Sequence, residues 1–406
     1  MSAGSSFSAP PQRFVAVSAV VLAAILFWVV LTLWVPEHWS FGFAEAGVLA
    51  LGAAWGICLA LRPYAVQSSP VLIPLAGTVV IGLAQLLTAH TANRWETWNA
   101  VLRWAVYSTA FFLASQIGAS QDVLRPFRLA LLYFGFGISV VAVLQYFTSP
   151  GQVFWIFQSE YYDDVFGPFV SRDRYAAFIE LILPLALFEA LSNRRKVLLG
   201  AVMAGAMVAS VIAGASRAGS VLVILESAAV PLLASRRNVA SARRLIGMFA
   251  VLGVVCSLAF TAVVGWTRLW ERFQDPDPYR GRREMLTSAV AMVRAKPWTG
   301  FGLGSFETVY PGFAVFDEGS VVDHAHNDWA EWASEGGLPL LACVLAIAVW
   351  GTPRLVQSLW GLGVLAVWLH ALVDFPMQTP ALALWVFVLL GGACAQRVPP
   401  NKLPWA

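Results

Sequence analysis

Residues 14–35 read FVAVSAVVLAAILFWVVLTLWV, an apolar run without a charged side chain. A helix of about 20 such residues covers a hydrocarbon layer ~30 Å thick. The run is long for the core of a signal peptide and lacks a convincing small-residue cleavage site. It therefore reads as a retained first membrane span. Similar runs follow at 42–61, 71–88, 99–117, 127–147, 175–192, 197–214, 218–234, 245–266, 337–353, 356–374 and 380–396. No alternating strand pattern of the β-barrel kind accompanies them. The expected fold is an all-α polytopic membrane protein of about 12 transmembrane helices.

Composition agrees. Of 406 residues, 59% are hydrophobic and 12% charged, and the mean hydropathy is +0.70. An ordinary soluble domain carries about 25% charged residues. Cys58, Cys256, Cys343 and Cys394 all fall inside apolar runs, with spacing that suits neither zinc nor a disulfide framework. They read as small buried hydrophobes. No cofactor, no metal and no nucleic-acid partner is expected.

Lys and Arg in short loops set membrane orientation. With a cytoplasmic N-terminus, Arg13, Arg62, Arg125, Arg128, the Arg194-Arg195-Lys196 cluster, Arg236, Arg237, Arg243, Arg244, Arg354, Arg397 and Lys402 all fall on the inner side. Glu37, Glu160, Asp163, Asp164 and Asp374 fall outside. An even number of spans with both termini cytoplasmic follows. The whole chain, 1–406, reads as one bundle with two long outer segments, 148–174 and 267–336. The second, between helices 9 and 10, exceeds ordinary connection lengths and is a functional candidate. It is rich in aromatics such as Trp298, Phe306 and Trp332, and Arg283 to Ala295 has the pattern of an amphipathic helix ended by Lys296-Pro297. Gly300-Phe-Gly-Leu-Gly304 reads as a flexible turn. No strand precedes it, so it does not mark a nucleotide site.

Polar residues that this topology gathers at the outer face carry the chemistry. His324-Ala-His326-Asn327-Asp328 leads to Glu331 and Glu335. On a helix, His326 would share a face with Ala330 and Ala333. A histidine there can take a proton from a sugar hydroxyl, since its ordinary pKa is about 6.5. The alternative is an interfacial histidine that hydrogen-bonds a loop. Arg172 and Arg174 stand at the mouth of the sixth span, Arg217 at the turn between the seventh and eighth, and Arg282 in the large loop. All break the positive-inside trend. A guanidinium fork binds phosphate oxygens in bidentate fashion and stays charged; the alternative is pairing with the loops' own acids. Arg103, Glu180, Glu189 and Glu226 fall within or near spans, where charge is costly. Glu180 and Glu226 could pair with outer arginines or mark an ion path. His370 and Asp374 are four residues apart, which suggests a local His–Asp bond.

Five stretches together resemble the O-antigen ligase and O-antigen polymerase superfamily. These are FGPFVSRDRYAAFIELILPLAL (166–187), GASRAGS (214–220), GRREMLTSAVAMVRAKPWTGFGLGSF (281–306), DHAHNDWAEWASEGGLPLL (323–341) and HALVDFPMQTPALALWVFVLLGG (370–392). The resemblance covers roughly the C-terminal 240 residues. It implies a metal-independent, inverting transfer of a glycan from undecaprenyl diphosphate to an acceptor hydroxyl at the periplasmic face of the bacterial inner membrane. The acceptor would be lipid A-core for a ligase, or a second lipid-linked glycan for a polymerase. It puts the family's histidine on His326 and its diphosphate-binding arginines on Arg217 and Arg282, with Arg172 and Arg174 as additions. His324, Asn327, Glu331, Glu335, His370 and Asp374 would support them. The chain has Ser171-Arg172-Asp173-Arg174 where the family often has Asn-Arg-Asn-His, and Leu340 in place of a usual glycine. A membrane transporter or flippase is the competing class, but no internal repeat supports it.

Overall fold

A computed structural model describes residues 9–35, 39–159, 165–192, 194–236, 280–315 and 321–395, with the single residues 247 and 319. The first eight helices are α1 (Gln12–Leu31), α2 (Trp39–Leu61), α3 (Leu72–Leu87), α4 (Arg94–Gly118), α5 (Gln121–Thr148), α6 (Arg172–Ser192), α7 (Val197–Ala213) and α8 (Arg217–Arg236). Then come α9 (Arg280–Ala295), the single turn α10 (Phe306–Val309), α11 (Asp328–Ser358), α12 (Leu362–His370) and α13 (Pro380–Cys394). Strand structure among the described residues is confined to an antiparallel pairing of Gln152–Val153 with Phe157–Gln158 and an isolated Phe166–Phe169 bridge.

Six of these helices, α1, α2, α5, α6, α8 and α11, are long and apolar enough to cross a membrane. The apolar helices α3, α7 and α13 are shorter. Apart from residue 247, the expected ninth span at 245–266 and the segment 267–279 lie outside the described residues. Apolar side chains gain little from leaving lipid for a protein interior, so packing and small residues hold such a bundle together. At its centre, α13 is buried from Ala381 to Ala393 and α6 from Tyr175 to Phe188. Tyr107 of α4 stacks on Phe387 of α13 at 5.3 Å, and Trp385 Nε1 donates to the Leu26 carbonyl of α1 at 3.1 Å.

Three expectations need correction. The run 356–374 is not one helix. Its start completes α11, the chain turns at Leu359 with φ +61°, and α12 then runs only from Leu362 to His370. Hydropathy cannot see that turn, because its residues are as apolar as the helices beside it. The expected tenth span, 337–353, lies inside α11, which kinks at Gly337 (φ +68°, ψ −173°). A Cβ there would come within 2.8 Å of the Pro297 and Trp298 backbone. The Gly300–Gly304 turn is held rather than loose. Gln85 of α3 reaches into it, donating to the Thr299 carbonyl at 2.7 Å and accepting from Leu303 N at 3.1 Å. Its backbone also bonds α11, with Phe301 N to Ser334 O at 3.1 Å and Gly302 N to Glu335 O at 2.9 Å.

The amphipathic helix exists as α9, beginning three residues before the expected start. The segment after α5 folds back over the helix end, where Gln145 accepts from Phe154 N at 2.7 Å and donates to Gly167 O at 3.2 Å. These connections bring the starts of α6, α8, α9 and α11 to one end of the bundle, beside the chain that leaves α12.

Candidate active site

The start of α8 is fixed first. After α7 the chain reverses through Gly214 and Ala215, whose φ is +54°. Ser216 then caps α8, its Oγ accepting from Gly219 N at 3.2 Å. Gly219 is required by contact, since a Cβ there would lie 2.3 Å from the Ala176 methyl of α6. The close approach lets the Ser216 hydroxyl donate to Asp173 Oδ1 at 2.6 Å. Arg217, half-buried, is the next residue and the first of α8.

Asp173 also meets a cation. Its Oδ2 lies 3.4 Å from Arg282 Nη2, on α9. The same guanidinium donates through Nη1 to the Val373 carbonyl at 2.8 Å and lies 3.9 Å from Asp374 Oδ1. Asp374 in turn accepts from His326 Nδ1 at 2.9 Å. A continuous line therefore runs Ser216–Asp173–Arg282–Asp374–His326, drawing on residues up to 201 positions apart.

The end of α12 organises this line. Its exposed carbonyls carry the negative pole of the helix dipole, and donors gather there. Asp328 N reaches Ala371 O at 3.0 Å, Asn327 Nδ2 reaches Leu372 O at 2.7 Å, and Arg282 takes Val373 O. Asn327 also caps α11, its Oδ1 accepting from Ala330 N at 2.9 Å. His326 thus lies before the cap and not on the helix, so the expected face shared with Ala330 and Ala333 does not form. Its φ of +49° is a strained backbone state for a residue other than glycine.

One ring joins the remaining groups. Phe375 lies 4.7 Å edge-on from His326 and 4.6 Å from His324, and the Arg174 guanidinium sits over it at 4.9 Å. His324 Nδ1 bonds Glu331 Oε1 at 2.8 Å, and Glu331 Oε2 accepts from Ala325 N at 2.7 Å. Burial disfavours a charged His324, but the Glu331 carboxylate outweighs it, so the imidazole pKa is raised. Arg172 opens α6 beside Asp173, half-buried.

Two expected participants face elsewhere. Glu335 accepts from Phe306 N at 3.1 Å and supports the glycine turn. The ring of His370 bonds Glu180 Oε1 at 2.8 Å, and Asp374 serves His326; this replaces the expected local His370–Asp374 pair. The in-span charges also resolve. Glu189 pairs with Lys196 at 3.0 Å, and Arg103 lines a cavity of about 40 Å³ with Trp104, Tyr107, Trp332 and Gln378. Glu226 is 6% exposed, and neither carboxylate oxygen has a hydrogen-bond partner among the described residues.

Residues 201–345 match the family model described as O-antigen ligase. The match covers 145 of the 406 residues. A comparison with curated proteins finds no match. Arg217, Arg282 and His326 all lie within the matched segment. Asp173 precedes it and Asp374 follows it, so the line of contacts is closed by residues on both sides. Sequence reading passed over Asp173 as a departure from the family pattern. It also passed over Phe375, whose only signal is its place directly after Asp374.

The geometry has a definite chemical capacity. With Nδ1–H donated to Asp374, the Nε2 lone pair of His326 is the one left to accept a proton. The His326 and Arg282 neighbours both favour a charged Asp374 carboxylate against its burial. Arg282 and Arg217 bring guanidinium charge to the same end of the bundle.

Proposed function

We propose that this chain is an O-antigen ligase-type glycosyltransferase that moves a finished glycan from undecaprenyl diphosphate to a hydroxyl of lipid A-core. The observation that carries this reading is the His326–Asp374–Arg282–Asp173 line at one end of a bundle of apolar helices. The acceptor oxygen attacks the anomeric carbon in line. The bond from that carbon to the diphosphate oxygen breaks, the diphosphate leaves with the electron pair, and configuration inverts. His326 Nε2 takes the acceptor's proton, and Asp374 stabilises the imidazolium that forms. Arg282 and Arg217 hold the leaving diphosphate as its charge develops, with Arg172 and Arg174 at the rim. No step requires a metal.

In this reading the site end is periplasmic in the bacterial inner membrane, both termini are cytoplasmic, and about 12 spans complete the bundle. The loop charges support that orientation. Segments 148–174 and 267–336 are the two long periplasmic loops of this topology, the second a subdomain.

Deletion followed by glycan analysis tests the reaction. Loss of all O-antigen from lipid A-core, with long lipid-linked chains retained, is expected. Capped single repeats on lipid A-core would instead assign the chain as the polymerase. Purified protein in vesicles that moves lipid-linked glycan across the bilayer without transferring it would reject both.

A further inference from the structure

A second histidine–carboxylate pair lies deeper. His370 closes α12 and Glu180 sits mid-way along α6, and their Nδ1–Oε1 contact is 2.8 Å. The side chains are 1% and 0% exposed. Substrate cannot touch them, and a buried polar bond in an apolar bundle is costly to leave half-made. The pair's neighbours explain what it holds. The Val373 and Asp374 amides both donate to the His370 carbonyl, at 2.9 and 3.0 Å. The next three carbonyls, of residues 371–373, take Asp328 N, Asn327 and Arg282. Glu180 lies seven residues after Asp173, two turns along one face of α6. A single helix face therefore binds Arg282 at its outer carboxylate and the end of α12 at its inner one.

We infer that Glu180 and His370 are positioning residues: their buried bond fixes the end of α12 against α6, and so sets where Asp374 presents itself to His326 and Arg282. The inference rests on the transfer reading for its kinetic test, but its geometric test does not. The charged groups around the pair are Asp173 and Glu226, on α6 and α8, and Asp374 beyond α12.

The kinetic test compares Glu180→Ala, Glu180→Gln and Glu226→Gln in purified, monodisperse protein. Misplacement by about 1 Å costs on the order of 10²-fold in rate. Glu180→Ala should lose that much in kcat with the donor KM little changed. Glu180→Gln, which keeps an acceptor for the His370 N–H, should recover most of the loss, and Glu226→Gln should match wild type. The geometric test uses ¹⁵N ring signals, simple to assign in a chain with five histidines. The His326 Nδ1 signal should move in Glu180→Ala and return in Glu180→Gln. Wild-type kcat in the alanine variant, or a glutamine variant as impaired as alanine, overturns the inference. So does an unmoved His326 signal. Should the alanine variant not accumulate, His370→Leu replaces it with the same expected outcomes. If no form of the protein transfers glycan but the signal still moves, the transfer reading fails and the positioning stands.

Discussion

The His326–Asp374 and His370–Glu180 pairs are near copies in geometry and opposites in setting. Each joins an imidazole Nδ1 to one carboxylate oxygen, at 2.9 and 2.8 Å. The first has side chains 26% and 7% exposed; the second is sealed at 1% and 0%. Only the first stands beside a guanidinium and a strained backbone, and only the first can meet a substrate. A His–carboxylate distance says that a ring is oriented. Access and neighbouring charge say whether the ring reacts or merely holds a helix in place. A catalytic reading of His326 therefore depends as much on Arg282 and solvent contact as on Asp374.

The largest effect should come from the open ring. Removing a general base costs about 10²–10⁴-fold. We expect His326→Ala to fall to the lower end of detectable transfer while the protein still reaches the membrane in normal amount. Normal product in radiolabelled-donor assays from that variant would erase the difference between the two pairs.

Asp374→Asn comes next. An amide can donate to Nδ1 and so favour the tautomer with the proton on Nε2, which cannot accept another. A loss of about 10²-fold in kcat is expected, with the donor KM less affected. Equal kcat in wild type and variant would show that the carboxylate does not control the tautomer. Arg282→Lys should cost less, about tenfold. Lysine keeps the charge but cannot contact Asp173, the Val373 carbonyl and a phosphate together. Its deficit should appear mainly in donor KM, and a pure kcat effect would point to a role in aligning Asp374 alone.

These residues differ in how much the sequence disclosed them. Arg217, Arg282 and His326 stood out because polar groups are rare in such a chain and because quotable motifs surround them. Six of the expected spans were equally legible from apolar runs, as helices long and apolar enough to cross a membrane. What failed was local spacing. His370 and Asp374 are four apart, and that rule holds only inside a helix. Here α12 ends at His370, so Asp374 leaves the shared face and turns to His326. In the same way His326 was expected on a helix that Asn327 caps one residue later. The Glu180–His370 bond spans 190 positions and has no sequence signal at all. Asp173 was visible only as an exception, because its partners come from two other helices.

The smallest predicted effect sharpens the comparison through a third pair. His324 bonds Glu331 at 2.8 Å and has an intermediate exposure of 25%. Its pKa is raised because the Glu331 carboxylate prevails over burial. An imidazole with a raised folded-state pKa binds protons more tightly in the fold than in the unfolded chain. Its contribution is complete below the ordinary value of about 6.5 and fades as pH rises through the folded value. Wild-type protein in detergent should therefore lose thermal stability over the pH range above about 6.5. His324→Gln keeps a donor for Glu331 but does not titrate in that range, so its unfolding midpoint should fall by less over the same interval. Equal slopes in the two proteins would mean that Glu331 does not bias His324. The 324–325 loop would then rest on the Ala325 N–H bond to Glu331 and on the Phe375 ring alone.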